Sequence, residues 1–300
     1  MRKRVLITGG TGFIGSRLCP EMLDRGYELA VLSRQSPSKV RSVCGQVEVI
    51  NDLESLRSDA GYDAVINLAG EGIADKRWTD QRKQALRNSR IALTNILTDI
   101  VNSWAKPPEV MVSGSAVGFY GAQGDNLVTE DTLPHDEFSH QLCKDWEDAA
   151  LKLQSANVRV CLSRTGVVVG PGGGFLQRMV LPFKFGLGGR LGDGNQYMPW
   201  VHRDDVVAAL IWMLETPEAS GAYNVVSPNP AKNREFTQTL AKVLRRPAIF
   251  PVPTAVLKVA LGEMSRLLLT GQRAMPARLT ESGFKFIYPS LEKALENATN

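Results

Sequence analysis

Arg4-Val5-Leu6-Ile7-Thr8-Gly9-Gly10-Thr11-Gly12-Phe13-Ile14-Gly15 is the stretch that decides the fold. Residues 4–8 form a short apolar run that reads as a strand. Glycines at 9, 12 and 15 follow in a G-x-x-G-x-x-G pattern. Residues 13–25 then show helical spacing through Ile14, Leu18 and Met22, and Gly26 closes the pattern as a helix-terminating glycine does. A strand, a glycine turn and a helix start in that order make a site for a pyrophosphate. Gly9 and Gly12 let the backbone approach the anion, and Gly15 lets the helix pack close to the strand. The helix start offers unpaired N–H groups and a partial positive charge. Thr11, Phe13 and Ile14 complete the turn.

The second strand, 28–32, leads into Ser33 and Arg34. Folds that bind NAD(H) place Asp or Glu about 20 residues after the glycines, on the ribose 2′-hydroxyl. No acid stands there. Arg34 offers forked, charge-assisted hydrogen bonds to a 2′-phosphate, with Ser33 as a further donor. The reading is NADP(H), with NAD(H) second; the plainer alternative is that Arg34 is a solvated loop residue. Asp52 and Leu53 follow a third strand, 47–50, where an adenine-edge contact falls in such folds. Leu68, Ala69 and Gly70 end a fourth, 64–68, and set backbone along the cleft.

Beyond these, 78–104 reads as one long helix ended by Pro107-Pro108. Residues 110–112 and 158–162 read as strands around a helix at 138–154. The alternation of strand and helix predicts an α/β Rossmann fold with a doubly wound parallel sheet. The second half changes character, with glycine-rich loops at 170–174 and 186–194 and helical patterns at 204–214, 234–244, 254–260 and 291–298. A smaller, mostly helical C-terminal substrate lobe is expected from 171–196 and 227–300. The nucleotide-binding domain then covers 1–170, with 197–226 returning to it.

The composition fits this picture. The chain has 300 residues, 43% hydrophobic and 22% charged, which excludes a wholly disordered polypeptide. Its net charge of +4 does not call for nucleic acid. The most apolar late stretch, 252–269, is cut by Lys258, Glu263 and Arg266, so no membrane span of roughly 20 residues is expected. The basic opening Met1-Arg2-Lys3-Arg4 is like the start of a signal peptide, but the apolar run behind it is too short. The expectation is a soluble, cytoplasmic protein without a membrane partner. Cys19, Cys44, Cys143 and Cys161 form no C-x-x-C pair, and His135, His140 and His202 stand far apart. No metal site is expected, and the thiols read as reduced and buried.

Several motifs resemble the extended short-chain dehydrogenase/reductases, the nucleotide-sugar epimerases, dehydratases and their relatives. They are the glycine turn, Asn67-Leu68-Ala69-Gly70, Ser113-Gly114-Ser115, and Arg164-Thr165-Gly166-Val167-Val168-Val169-Gly170-Pro171. Others resemble a narrower branch, the YfcH-type epimerase family proteins: Lys76-Arg77-Trp78, Arg87-Asn88-Ser89-Arg90, residues 192–202 and residues 271–279. The resemblance implies a Rossmann domain with a small C-terminal substrate lobe, and no established substrate.

The wider family works with Ser, Tyr and Lys, the last two spaced Tyr-x-x-x-Lys. That spacing puts both on one helix face, where the ammonium lowers the phenol pKa for proton exchange with a substrate hydroxyl. Here Lys144 lies in the expected helix, but His140 stands four residues before it. None of the tyrosines at 27, 62, 120, 197, 223 and 288 has Lys four residues later. Three readings stay open. His140 replaces the Tyr, its ordinary pKa near about 6.5 suiting neutral pH; or Tyr120 reaches the site from the loop after strand five; or proton transfer is lost and Lys144 only holds the nicotinamide ribose. Ser115 matches the family's Ser, with Ser113 as the other candidate.

Six basic residues from Lys76 to Arg90 face one acid, Asp80. They are either a solvated helix face or the wall of an anion site, to which Arg190, Arg273 and Arg278 add. Lys83 and Arg90, with Trp78 and Trp200 as flat apolar walls, are the substrate-binding candidates. The expected function is an NADP(H)-binding oxidoreductase or epimerase-like enzyme on a small, anionic substrate. The alternative is a catalytically inactive NADP(H) sensor or interaction protein. Either is read as a monomer or homodimer.

Overall fold

The computed structural model describes residues 2–58 and 61–300; Met1, the first residue of the basic opening stretch, lies outside them. Seven strands form one all-parallel sheet. They are β1 (Arg4–Thr8), β2 (Glu28–Leu32), β3 (Glu48–Ile50), β4 (Ala64–Asn67), β5 (Val110–Ala116), β6 (Arg159–Thr165) and β7 (Gly221–Val225). Their spatial order is β7-β6-β5-β4-β1-β2-β3, a Rossmann-like α/β arrangement that reverses between β1 and β4. In β1 alternate side chains enter opposite cores. Val5 and Ile7 pack toward α1 (Gly15–Asp24) on one face, and Leu6 packs toward Leu97 and Ile100 on the other. All three are fully buried, which is why the strand reads as a continuous apolar run.

Two expected elements change. The helix at 78–104 is interrupted: Asp80–Arg87 and Leu93–Asn102 are α-helical, and Asn88–Ala92 between them is a π-turn. The Leu86 carbonyl there accepts from Ser89 Oγ at 3.0 Å and from Arg90 Nη1 at 3.3 Å. Side chains that take a helix carbonyl open the backbone ladder at that turn. Strand five runs on from Val112 through Ser113-Gly114-Ser115, because its buried hydroxyls find partners. Ser113 Oγ accepts from Asn67 Nδ2 at 3.3 Å.

The segment 197–226 meets the main sheet through β7, which pairs with β6, and through the helix Arg203–Glu215, whose Val206, Val207 and Leu210 share a core with Val5, Ile7 and Val112. Trp200–His202 instead pairs with Val167–Val169, and Tyr197–Met198 pairs antiparallel with Ala231–Lys232. These short ladders join the sheet to a lobe built around Trp200 and Phe236, packed by the helices Gly174–Lys184, Asn233–Leu244 and Leu291–Thr299. Between sheet and lobe lies a cleft at the carboxyl ends of the strands.

Candidate functional site

The turn after β1 is fixed by contacts that only glycine allows. Gly9 has φ +72°, and a Cβ on it would lie 2.6 Å from the Leu68 carbonyl. A Cβ on Gly15 would lie 2.3 Å from the Gly9 oxygen. The turn therefore lies tight against Leu68-Ala69-Gly70, whose backbone is tied back by Ala69 N donating to Thr8 Oγ1 at 3.2 Å. Helix α1 starts at Gly15 with no side-chain cap and no acid in its first turn. Ser16 N and Arg17 N donate to the Gly12 and Ile14 carbonyls at 2.8 and 3.0 Å, and the positive end of the helix dipole is left for an anion from outside the chain. Thr11, Gly12, Phe13 and Ile14 line this opening.

At the end of β2, Asn51 Nδ2 donates to the Ser33 and Gln35 carbonyls at 2.7 and 2.9 Å and holds the loop. Arg34 is exposed and has no partner among the described residues. Asp52 accepts from Glu54 N at 3.0 Å and so caps a local turn, while Leu53 packs partly buried against the core. These residues, the glycine turn and Leu68-Ala69-Gly70 share the strand ends beside the switch point. The geometry fits a dinucleotide carrying an extra phosphate on the β2 side.

The cleft continues into a cavity of about 310 Å³. Its wall is mainly apolar, with Phe13, Ile73, Trp78, Val117, Phe138 and Leu267. Trp78 meets Phe138 edge-on at 4.9 Å and donates through Nε1 to the Ile73 carbonyl at 2.9 Å. The polar members include Ser139, which donates to Glu137 Oε1 at 2.5 Å, and Arg266, which pairs with Glu137.

The four residues put forward for catalysis are not in this wall. Helix α5 (Phe138–Leu151) presents Ser139 and Cys143 to the cavity. His140 and Lys144 stand one residue further along, about 100° around the helix. His140 Nδ1 is hydrogen-bonded to the Phe119 carbonyl at 2.6 Å, and its ring lies edge-on to Phe119. Lys144 is exposed, bonded to Asp148 at 2.5 Å. Ser115 and Tyr120 belong instead to a buried network below α5. Ser115 Oγ donates to Glu147 at 2.6 Å, and Arg164 grips both Glu147 oxygens at 2.9 and 2.8 Å. Arg164 also donates to Tyr120 Oη at 2.9 Å, which donates to Asn224 at 2.7 Å.

Burial pushes the Tyr120 hydroxyl up to about 12, against the opposing charge of Arg164. It likewise pushes the Cys143 thiol up to about 12, with Glu147 adding to the effect. Burial works against the Arg164 charge, but the bonds and charge of Glu147 prevail and hold it more basic than a free arginine. Tyr120 and Cys143 are therefore neutral at ordinary pH.

Four of the six cations of 76–90 are used internally, while Lys76 and Arg77 are exposed without an ion pair among the described residues. Arg82 pairs with Glu71, Lys83 with Glu263 at 2.6 Å, and Arg87 with Asp145 at 2.5 Å. Arg90 donates to the Glu71 carbonyl at 2.6 Å and lies over Trp146. Arg278 donates to the Ala222 and Ser220 carbonyls. Of the four substrate candidates only Trp78 lines the cavity. Trp200 is buried in the lobe core, with Nε1 bonded to the Asn229 carbonyl at 3.0 Å. The cavity also presents Ser139, Cys143, Glu137 and Arg266, which the motifs did not single out. One signal existed: the stripe Leu142-Cys143-Trp146-Ala149-Ala150 marks the inward face of α5 and extends back to Ser139, not to His140.

The fold, the glycine turn and the cleft define a Rossmann nucleotide-binding protein of the short-chain dehydrogenase/reductase type. The chain belongs to the NAD dependent epimerase/dehydratase family, which matches residues 5–226. A domain of unknown function (DUF1731) matches residues 252–298. Epimerase family protein Mb2239 of Mycobacterium bovis is 38% identical over 98% of this chain and 97% of its own. Epimerase family protein YfhF of Bacillus subtilis is 35% identical over 97% and 96%. The crystal structure of human epimerase family protein SDR39U1 with NADPH superposes with a TM-score of 0.91 at 34% identity, covering 99% of each chain. No described helix is long and apolar enough to cross a membrane.

Proposed function

We propose that this protein is an NADP(H)-binding oxidoreductase of epimerase-like build, acting on a small, largely apolar substrate. The observation that carries the reading is the end of β2, where Ser33 and Arg34, unpartnered among the described residues, stand in place of the carboxylate that selects NAD(H). The NADPH carried by the human relative supports it. The glycine turn would hold the pyrophosphate, Ser33 and Arg34 the 2′-phosphate, Asp52 and Leu53 the adenine side, and Leu68-Ala69-Gly70 the middle of the cofactor. NADP(H) supplies or accepts a hydride when bound. Phe13, Trp78 and Phe138 exclude water from the cavity. Ser139, whose hydroxyl proton goes to Glu137, offers its oxygen as an acceptor to a hydroxyl of the substrate or reduced product.

Titration of intrinsic fluorescence with NADPH and with NADH tests the cofactor. NADPH should bind at least about 10-fold more tightly, and Arg34→Ala should remove that preference, since a hydrogen bond to a charged group contributes about 1.5–3 kcal/mol. Equal affinities in the wild type would sink the assignment. A second reading is favoured by one observation: the inward i, i+4 pair of α5 is Ser139 and Cys143, not a phenol and an ammonium. In that reading the protein binds NADP(H) as a sensor without turnover. Absence of NADPH oxidation across a panel of apolar carbonyl compounds, with tight NADPH binding intact, would select it.

A further inference from the structure

One edge of the lobe lies apart from the cleft. Leu181, Phe185 and Leu187 stand exposed along the end of the helix Gly174–Lys184 and the loop after it, Phe185 by 74%. That loop runs beside residues 250–252: Phe250 N donates to the Gly188 carbonyl at 3.2 Å and Val252 N to the Arg190 carbonyl at 2.9 Å. Ile249 and Phe250 are exposed there. The helix Thr254–Leu261 follows, with Val256 and Val259 exposed, the latter by 78%. Most of the large exposed hydrophobics among the described residues fall in these two short segments.

The charge on these segments is predominantly positive. Lys184, Arg190, Arg245, Arg246 and Lys258 are exposed, and none forms an ion pair among the described residues. No Asp or Glu occurs in residues 176–192 or 242–262; of the acids that follow them, Glu263 is paired with Lys83, and Asp193 stands beside Arg190. A second copy of the chain is a poor partner for such an edge, because a two-fold interface would set cations against cations. An anionic lipid surface suits both features. Apolar side chains enter the boundary between headgroups and acyl chains, and the cations stay at the lipid phosphates. A bilayer also conforms to side chains spread over a helix end, a loop and a second helix, where a rigid partner must be shaped to match.

We propose that this edge docks the protein on an anionic bilayer as a peripheral, reversible contact. The proposal does not depend on the cofactor or on turnover. The test is co-sedimentation of the full chain with vesicles of phosphatidylcholine alone and of phosphatidylcholine with phosphatidylserine. Phosphatidylserine should raise binding on the order of 10-fold or more, and added salt should reverse it. Phe185→Ser with Phe250→Ser, and separately Arg245→Gln with Arg246→Gln, should each cut binding several-fold. Both double variants should keep the wild-type thermal melt, since all four side chains are exposed. No sedimentation with either vesicle overturns the proposal, as does equal binding of wild type and both variants. So does a wild-type dimer in light scattering that the phenylalanine variant dissolves, which would make the edge an interface between copies.

Discussion

The two ends of the cleft are built from different materials. At the β1–α1 turn the recognition surface is backbone: three glycines pressed together, a helix start with no side-chain cap, and, one strand away, Arg34 without a partner among the described residues. At α5 the surface is side chain, mostly aromatic and aliphatic, and the charges around it are paired. One end is prepared for an anion and keeps its positive potential unspent. The other presents an apolar wall, with Glu137 and Arg266 beside it paired. A dinucleotide with a phosphate-rich half and a flat ring at its far end suits such a cleft.

The phosphate end is most sensitive at Gly15. Gly15→Val places a Cβ within van der Waals overlap of the Gly9 oxygen and must move the turn. NADPH affinity should fall on the order of 100-fold or more in the fluorescence titration, and unchanged affinity would show that the turn is not the phosphate site. Next in size is the support beneath α5. Arg164→Met leaves Glu147 as a buried, unpaired charge, and denaturant unfolding should show a loss of about 3–5 kcal/mol. A loss under about 1 kcal/mol would mean that water reaches the pair.

Smaller effects sharpen the α5 end. The reactive form of cysteine is the thiolate. With its pKa pushed up to about 12, Cys143 stays a thiol at neutral and mildly alkaline pH, and ionises only as pH rises toward that value. Iodoacetamide at about pH 8 should leave Cys143 unlabelled in the folded protein, as peptide mass spectrometry would show; rapid labelling would place an ionised group in the wall after all. The smallest expected effect is at Lys144. Since its ammonium is exposed and bonded to Asp148, Lys144→Ala should change NADPH affinity less than about 2-fold. A 10-fold loss would bring that lysine back to the ribose.

The legible parts of the molecule were those governed by short-range rules. Apolar runs of four or five residues marked β1, β2 and β4, and Gly26, with φ +87°, ended α1 as expected. The missing acid after β2 needed only the place of Ser33 and Arg34 in the alternation. Two long-range facts were not legible. Whether Lys83 faces a substrate or Glu263 depends on a residue 180 positions away. Which residues of α5 meet the cavity depends on the rotation of that helix, which Trp146, Glu147 and their partners on other elements set.

The amino-acid sequence by itself determined the order of strands and helices, the glycine turn and the character of the β2 end, because each rests on backbone conformation and neighbouring residues. The tertiary structure alone decided the substrate end. A step of one residue on a helix turns a side chain by about 100°, enough to exchange His140 and Lys144 for Ser139 and Cys143. Of the charges of 76–90, Arg82 and Arg87 pair with Glu71 and Asp145 beside the sheet, and Lys83 found Glu263 only when the lobe packed against it.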